Sequence, residues 1–388
     1  MAKDKRVAIV GGGPAGATCA YLLAQNGLNP LLFEAQPNRE KPCGGGLTQR
    51  AVQALSFADE LEPLCHDVDL FEVIAPNGNR TCVPLAPPIR IVARTAFDSM
   101  LRGKAKAAGA HAINERARDI SRQKDSGWRV NGRSVDIVVG AGGINDPIAR
   151  HRGCALASVE KAQSIGWYIP GRFEPRIICR FFKRTYGYAW WFPRRDHASL
   201  GIELEPGPFD KGAALRRLHQ FVNEDLVGID IDRGRRFSWA LPLQRPAAFL
   251  RHRYCGKDWL LAGDAAGLVD PLTGEGLSYA ILSGTLAAKA IIQDALESYP
   301  HWLYQDILTE ITIAGRFVAP FYYTENLNHL VAFLSHSRAA RKILGDVAHG
   351  RQPYRTLKRR VYGELGGILR ETVAGIIAAP WKKCGRYH

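Results

Sequence analysis

The sequence predicts an α/β fold in three parts: a Rossmann-type dinucleotide-binding domain, a mixed β-sheet inserted into it as a cover, and a helical C-terminal region. Three observations predict it. A complete strand–turn–helix–strand unit stands at the N-terminus, a second strand, glycine-rich loop and helix return after residue 250, and the span between them is rich in β-branched and aromatic residues. At 388 residues the chain is long enough for two units with a sizeable shared core.

The first unit is RVAIVGGGPAGATCAYLLAQNGLNPLLFEA. Its apolar run predicts a strand over 6–10, its periodicity an amphipathic helix over 14–26, and its second apolar run a strand over 30–34. Gly11, Gly13, Pro14, Ala15 and Gly16 form the turn: Gly11 and Gly13 let the backbone approach a pyrophosphate, and Gly16 lets the helix pack on the sheet. The phosphates then sit on the helix N-terminus. Glu34, followed by Ala35, ends the second strand, where a carboxylate accepts hydrogen bonds from both ribose hydroxyls and repels a 2′-phosphate. A dinucleotide other than NADP is therefore expected. No second glycine fingerprint occurs in the same context, so a nicotinamide donor would have no Rossmann domain of its own.

The middle of the chain reads as strands (QSIGWYIPG, RIICRFFKRTYGYAWWFP, ASLGIELE, FSWALPL) with one helix near 209–223. Within it, YGYAWWFPRR packs five aromatic rings into seven residues. As a strand it places Tyr186, Tyr188, Trp190 and Phe192 on one face and Gly187, Ala189 and Trp191 on the other. Such a wall either packs against a helix or faces a bound molecule, and the stretch alone does not choose.

The returning unit, YCGKDWLLAGDAAGLVDPLTGEGLSYAILSG, has a short apolar strand ending at Gly263-Asp264, a loop with Pro271, Gly274 and Gly276, and a helix. An acid at a strand end, facing a second helix N-terminus, suits a long cofactor with a polyol linker and a carbonyl-bearing ring. That describes FAD, with Asp264 at the ribityl or pyrophosphate region and backbone amides around Gly274–Leu277 at the flavin N1–C2=O edge. Gly263 belongs to the same turn.

Composition excludes several classes. Eight cysteines are scattered without a CxxC pair or a Cys/His cluster, so reduced thiols and no metal site are expected. No window has the roughly 20 apolar residues of a spanning helix, and no export signal precedes the first strand, so the expected location is the cytoplasm. The net charge of +15 favours anionic surroundings. From residue 330 onward, basic residues including Arg338, Arg341, Arg355, Lys358, Arg359, Arg370 and Lys382 far outnumber Asp346, Glu364 and Glu371, next to the apolar VAGIIAAPW. That pattern suits peripheral contact with the inner face of a membrane, or equally a solvated helical face. No nucleic-acid-binding motif is present, and the sequence says nothing of oligomeric state.

Five segments together resemble the FAD-dependent geranylgeranyl reductase family of the p-hydroxybenzoate-hydroxylase-like flavoproteins: GGGPAG with Glu34, KPCGGGL (41–47), RTAFD (94–98), GDAAGLVDPLTGEGLSYA and YAWWFP (188–193). The resemblance runs from residue 5 to about 290 and fades in the last hundred residues. It implies that Arg94 and Asp264 contact FAD and that Cys43, Gly44, Gly45 and Gly46 lie near the isoalloxazine, where a backbone approaching a flat ring cannot carry Cβ atoms. Cys43 is then either a thiol that tunes or protects the flavin or a small filler. It also implies that Tyr188, Trp190 and Phe192 line the substrate, with Trp191 toward the core.

The implied reaction is reduction of an isolated C=C bond in a prenyl (geranylgeranyl-type) chain on a lipid, quinone or pigment, by hydride transfer from reduced flavin. Such an alkene is not electrophilic, so the step needs a proton donor and tolerance of positive charge at the tertiary carbon. Cys43, Tyr188, Trp190 and Tyr279 are the catalytic candidates: aromatic faces for the charge, and Tyr188, Tyr279 or a flavin-bound water for the proton. Glu275 is expected to cap or line the flavin loop. One departure concerns GAGGINDPIARHRG (140–153), where relatives read GADGxxSxVRRxLG: Gly142, Asp146 and Ala149 stand where the acid, the serine and the first arginine belong. This leaves NADPH, a ferredoxin and a reduced flavin carrier all open as electron donor. A flavin monooxygenase or halogenase of the same fold is the alternative enzyme, and a membrane-surface flavin or lipid carrier the alternative without catalysis. A halogenase places a lysine on a strand soon after the first flavin unit, and DVDLFEVIAPNGNR has none. The expected domains are FAD-binding segments at 1–68, 93–155 and 250–297, a substrate-covering sheet at 69–92 and 156–249, and a helical basic region at 298–388.

Overall fold

The computed structural model describes residues 5–123, 127–204, 210–243 and 246–378. Val7–Val10 is apolar and buried at every position because it lies inside a six-stranded sheet with parallel neighbours on both sides. The strand order is Cys255–Gly256, Trp259–Leu261, Ile137–Gly140, Val7–Val10, Leu31–Phe33 and His111–Ile113, antiparallel only at the first pair. The helix Pro14–Gln25 starts on a proline, whose missing N–H costs nothing at that position. It packs on Leu277–Ile292 at van der Waals range of the backbone: a Cβ on Gly284 would stand 2.2 Å from the Ala15 carbonyl oxygen.

A second, eight-stranded sheet runs Arg235–Pro242, Lys161–Pro170, His197–Leu204, Tyr188–Pro193, Arg176–Phe181, Cys65–Ile74, Arg80–Val92 and Gly46–Leu47. It is mixed, since Arg176–Phe181 pairs parallel with Cys65–Ile74 while its other neighbours pair antiparallel. The segment RIICRFFKRTYGYAWWFP is a hairpin, turned where Arg184 (φ 48°) and Gly187 (φ 86°) take left-handed backbone. Tyr186 thus lies in the turn and not on the strand.

The two faces of this sheet have different fates. Ala189, Trp191, Ile165, Leu200 and Ile202 pack against Ala214, Leu218 and Phe221 of the helix Lys211–Asp225, each fully buried large side chain contributing about 1.5–3 kcal/mol. The opposite face carries Val73, Cys179, Phe181 and Trp190 and meets Tyr322, Leu327 and Val331 of the helices Thr309–Tyr322 and Asn326–His336. Two further helices, Arg338–Ala348 and Tyr354–Ala378, complete the C-terminal region.

Candidate functional site

The turn before Pro14 is built to receive an anion. Gly13 is the N-cap residue and has no side-chain cap, so the first helical amides are left for a ligand. A Cβ on Gly13 would meet nothing within 4 Å, whereas one on Gly16 would stand 1.9 Å from the Gly11 carbonyl oxygen. Glu34 accepts from the Gly12 amide (2.9 Å) and the Gln36 amide (2.7 Å), which fixes its carboxylate beside the turn with lone pairs to spare. Ala35 follows at the strand end.

The loop Lys41–Leu47 lines the same cavity as Pro14 and is held by the buried Arg194, while Arg94 is fixed nearby. Arg94 opens the helix Arg94–Ala107 and makes a bidentate pair with Asp98 (2.8 and 2.7 Å); burial opposes its charge, but Asp98 outweighs burial and its pKa is raised. Arg194, 1% exposed, pairs with Glu40 and donates to the Cys43 carbonyl oxygen (2.6 Å). Glu40 also accepts from the Arg94 amide (2.7 Å) and the Thr95 amide (2.8 Å), capping that helix from a distant loop. Burial pushes the Glu40 carboxyl up, but Arg194 and these hydrogen bonds outweigh it and hold it below the usual range. Gly45 takes φ +84°, and a Cβ there would strike the Val92 carbonyl oxygen at 2.2 Å. Gly44 is pressed against the Phe192 ring, 3.2 Å from the Cβ position. The Cys43 sulfur accepts from the Gly45 amide at 3.3 Å.

The returning loop supplies the third side. Gly263 and Asp264 sit in a 3-10 turn after Trp259–Leu261, and Asp264 pairs with Lys41 at 2.7 Å. Three consecutive carbonyls of the loop are gripped by tyrosines: Tyr186 donates to Pro271 (3.0 Å), Tyr322 to Leu272 (2.7 Å) and Tyr188 to Thr273 (2.6 Å). Asp270 holds it from below, accepting from the Leu272 amide (2.8 Å) and the Tyr354 hydroxyl (2.9 Å). Gly276 is the N-cap of Leu277–Ile292, and Glu275 accepts from the Ser278 amide (2.7 Å). Tyr279 is buried one turn in, its hydroxyl accepting from Arg50 (2.9 Å).

One cavity joins these parts. Pro14, Lys41, Cys43 to Gly46, Arg94, Asp264, Gly274 to Leu277 and Tyr279 line one end, and Tyr188, Trp190 and Phe192 line the sheet side. It continues between the sheet and the C-terminal helices along Phe181, Phe321, Leu327, Val331, Leu334 and Leu344. Gly11, Gly13, Ala15, Gly16, Glu34, Ala35 and Gly263 lie outside it, around the N-terminal turn and the sheet beneath. Trp190 lies flat because its cross-strand neighbour is Gly201, where a Cβ would stand 2.3 Å from the indole. Gly166 pairs next to Gly201 and Phe237 next to Gly166, so two rings, stacked at 18°, share a glycine trough. Tyr186 faces the same way as Tyr188 but is buried under Tyr322 (4.8 Å), away from the cavity.

Several of these residues carry no sequence signal of their own. Lys41 and Arg194 flank recognised motifs, but what they bind is distant in the chain. Glu203 is the clearest case. It lines the cavity at 5% exposure, its Oε1 has no hydrogen-bond partner among the described residues, and burial pushes its carboxyl up to about 7, against a smaller opposing effect of the Tyr186 hydroxyl nearby. The departing segment has a local explanation: Asp146 is buried, accepts from the Gly142 amide (2.8 Å) and the Ala149 amide (2.8 Å), and caps the helix Pro147–His151. A Cβ on Gly142 would stand 2.9 Å from the Asp146 carboxylate, so the two replacements fit one another.

The uncapped helix, the open side of Gly13, the placed Glu34 and the glycine-rich cleft that follows fit a dinucleotide whose second half is a flat ring system. The NAD(P)-binding Rossmann-like domain family matches residues 9–51. Geranylgeranyl diphosphate reductase of Rhodobacter capsulatus is 31% identical over 305 residues, 73% of this chain and 73% of the relative. Digeranylgeranylglycerophospholipid reductase 1 of Methanopyrus kandleri is 26% identical over 318 residues, 74% of this chain and 80% of the relative. Among solved structures, a geranylgeranyl bacteriochlorophyll reductase-like protein from Thermoplasma acidophilum superposes with a TM-score of 0.74 at 20% identity, covering 92% of this chain and 98% of that one. A flavin-dependent brominase gives 0.71 at 21%, covering 94% and 99%, which shows the shared fold. With FAD as its cofactor, the chain is an oxidoreductase that belongs to the geranylgeranyl reductase family.

Proposed function

We propose that the protein saturates isolated double bonds of a geranylgeranyl-type chain carried by a lipid, quinone or pigment. The observation that carries this is the cavity, which leads from the flavin-loop residues along an aromatic wall into a channel of Leu and Val side chains. Burying a prenyl chain there yields roughly 25 cal/mol per Å² of apolar surface, and the run of Phe181, Phe321, Leu327, Val331, Leu334 and Leu344 suits a hydrocarbon. FAD in its reduced form supplies the hydride. The protein's part is to hold the alkene and exclude water, and to face positive charge at the tertiary carbon with Tyr188, Trp190 and Phe192, each ring worth about 0.5–2 kcal/mol in a dry site. Arg94, Asp264, Lys41 and the backbone from Gly274 to Leu277 would hold the flavin, since all of them line the same end of the cavity. Tyr188, by its bond to Thr273, also sets the loop on which that ring would rest. Cys43, in the glycine loop at the same end of the cavity, would stand beside it.

The test is anaerobic. Dithionite-reduced holoprotein is mixed with a geranylgeranyl lipid while flavin absorbance and lipid mass are followed. Reoxidation with a gain of two hydrogens is the expected result. Oxygenated product, formed only once air is admitted, would instead mark a monooxygenase, and a flavin that no lipid reoxidises would mark a carrier.

The C-terminal helix supports delivery from a membrane surface. Tyr362, Leu365, Leu369, Val373 and Ile377 are exposed at spacings of three and four, one stripe along Tyr354–Ala378, flanked by exposed Arg355, Lys358, Arg359 and Arg370. Among the described residues no helix is long and apolar enough to cross a membrane. Lys382, Lys383 and Arg386, and the end of VAGIIAAPW, lie outside the described residues.

A further inference from the structure

We propose that Glu203 is the acid that protonates the prenyl double bond, a role that rests on the reductase reading above. One alkene carbon takes the proton from the Glu203 carboxyl and the other takes hydride from reduced FAD. The π bond is consumed, the flavin is oxidised by two electrons, and the carboxylate left behind regains its proton from solvent before the next cycle.

Glu203 lies on the cavity face of His197–Leu204, next to Ser164, and its Oε2 stands 3.1 Å from where a Cβ on Gly274 would be. Gly274 belongs to the loop that would hold the flavin, and having no side chain it leaves the carboxyl facing the cavity. Among the described residues Oε1 has no partner although Glu203 is only 5% exposed, so the site contains an acid with a free oxygen. The other buried acids of the cavity are engaged: Glu275 with the Ser278 amide, and Asp270 with two amides and Tyr354. Among the described residues, Tyr186, Tyr188, Tyr322, Asp270 and Cys179 are the titratable groups around Glu203, and none is a cation. Burial therefore keeps the carboxyl protonated near neutral pH, where a general acid is most effective. Tyr188 and Tyr279 are pushed well above 10 by burial, so each is at least about a thousandfold weaker as an acid. The Tyr188 proton is also committed to the Thr273 carbonyl oxygen.

The experiment compares wild type, Glu203→Gln and Glu203→Asp as holoproteins. Infrared titration should show protonated-carboxyl absorption with a midpoint near 7, to which Glu203 and Glu275 both contribute, and the Glu203 share should be missing from Glu203→Gln. Mixed anaerobically with geranylgeranyl diphosphate, reduced Glu203→Gln should be reoxidised about 10²–10⁴-fold more slowly than wild type, at unchanged flavin content and unchanged quenching of tryptophan fluorescence by the substrate, with partial rescue in Glu203→Asp. If Glu203→Gln is reoxidised as fast as wild type, or loses none of that absorption, the proposal fails alone. If wild type is not reoxidised, the reductase reading fails and takes the proposal with it.

Discussion

A buried, protonated Glu203 must lower stability as it ionises, and that cost can be measured without any substrate. Its carboxyl moves from an ordinary 4.5 to about 7 on folding, so the folded protein holds the proton more tightly than the unfolded chain. The stability linked to it is fully present below 4.5 and is lost as pH rises through about 7. The shift of about 2.5 units is worth about 3 kcal/mol, at about 1.4 kcal/mol per unit. By pH 5.5 about 1.4 kcal/mol has already gone, so about 2 kcal/mol separates pH 5.5 from pH 8.5. Glu203→Gln removes the titration, so the variant should gain on wild type by that amount over the same interval. With an unfolding entropy of about 0.8 kcal/mol/K for a chain of this length, the gain is about 2–3 °C in Tm. Calorimetry of both holoproteins at the two pH values reads it directly, and contributions from Glu275 and Asp146 cancel in the difference. A Tm difference that does not change with pH, or that changes in favour of wild type at pH 8.5, would refute the burial argument.

Glu34→Ala should weaken FAD binding, because it removes the ribose acceptor and the partner of the Gly12 amide; unchanged flavin occupancy after purification would count against the N-terminal assignment. Trp190→Ala should spare FAD and lower prenyl reduction at least tenfold, and a protein that fails to fold would return that ring to a packing role. Arg194→Met leaves Glu40 buried without its cation and should cost about 3–5 kcal/mol in urea unfolding, recovered in large part by Glu40→Gln in the same chain, whereas a loss below about 1 kcal/mol would show that the pair is dispensable. Leu369→Glu with Ile377→Glu should abolish sedimentation with anionic vesicles while leaving flavin content unchanged, and retained sedimentation would remove the helix Tyr354–Ala378 as the contact face.

What was legible in the sequence was local. The N-terminal βαβ unit stands within a residue or two of its expected bounds, because a buried strand, a glycine turn and an amphipathic helix are each encoded by neighbours in the chain. The alternation of YAWWFP likewise decided that Trp191 faces one side and Trp190 the other, since a strand permits only two faces. The cavity, by contrast, is a product of packing. Its far wall comes from the helices Asn326–His336 and Arg338–Ala348, in the part of the chain where the resemblance fades. The flat seat of Trp190 depends on Gly201 and Gly166, each supplied by a different strand. Arg194 reads as a residue just past a motif until Glu40 and the Cys43 carbonyl meet it. Glu203 reads as one more strand residue until the loop at Gly274 and the tyrosines close over it. A carboxyl's acidity is set by the solvent and charges around it, and those are assembled only when segments remote in sequence come together.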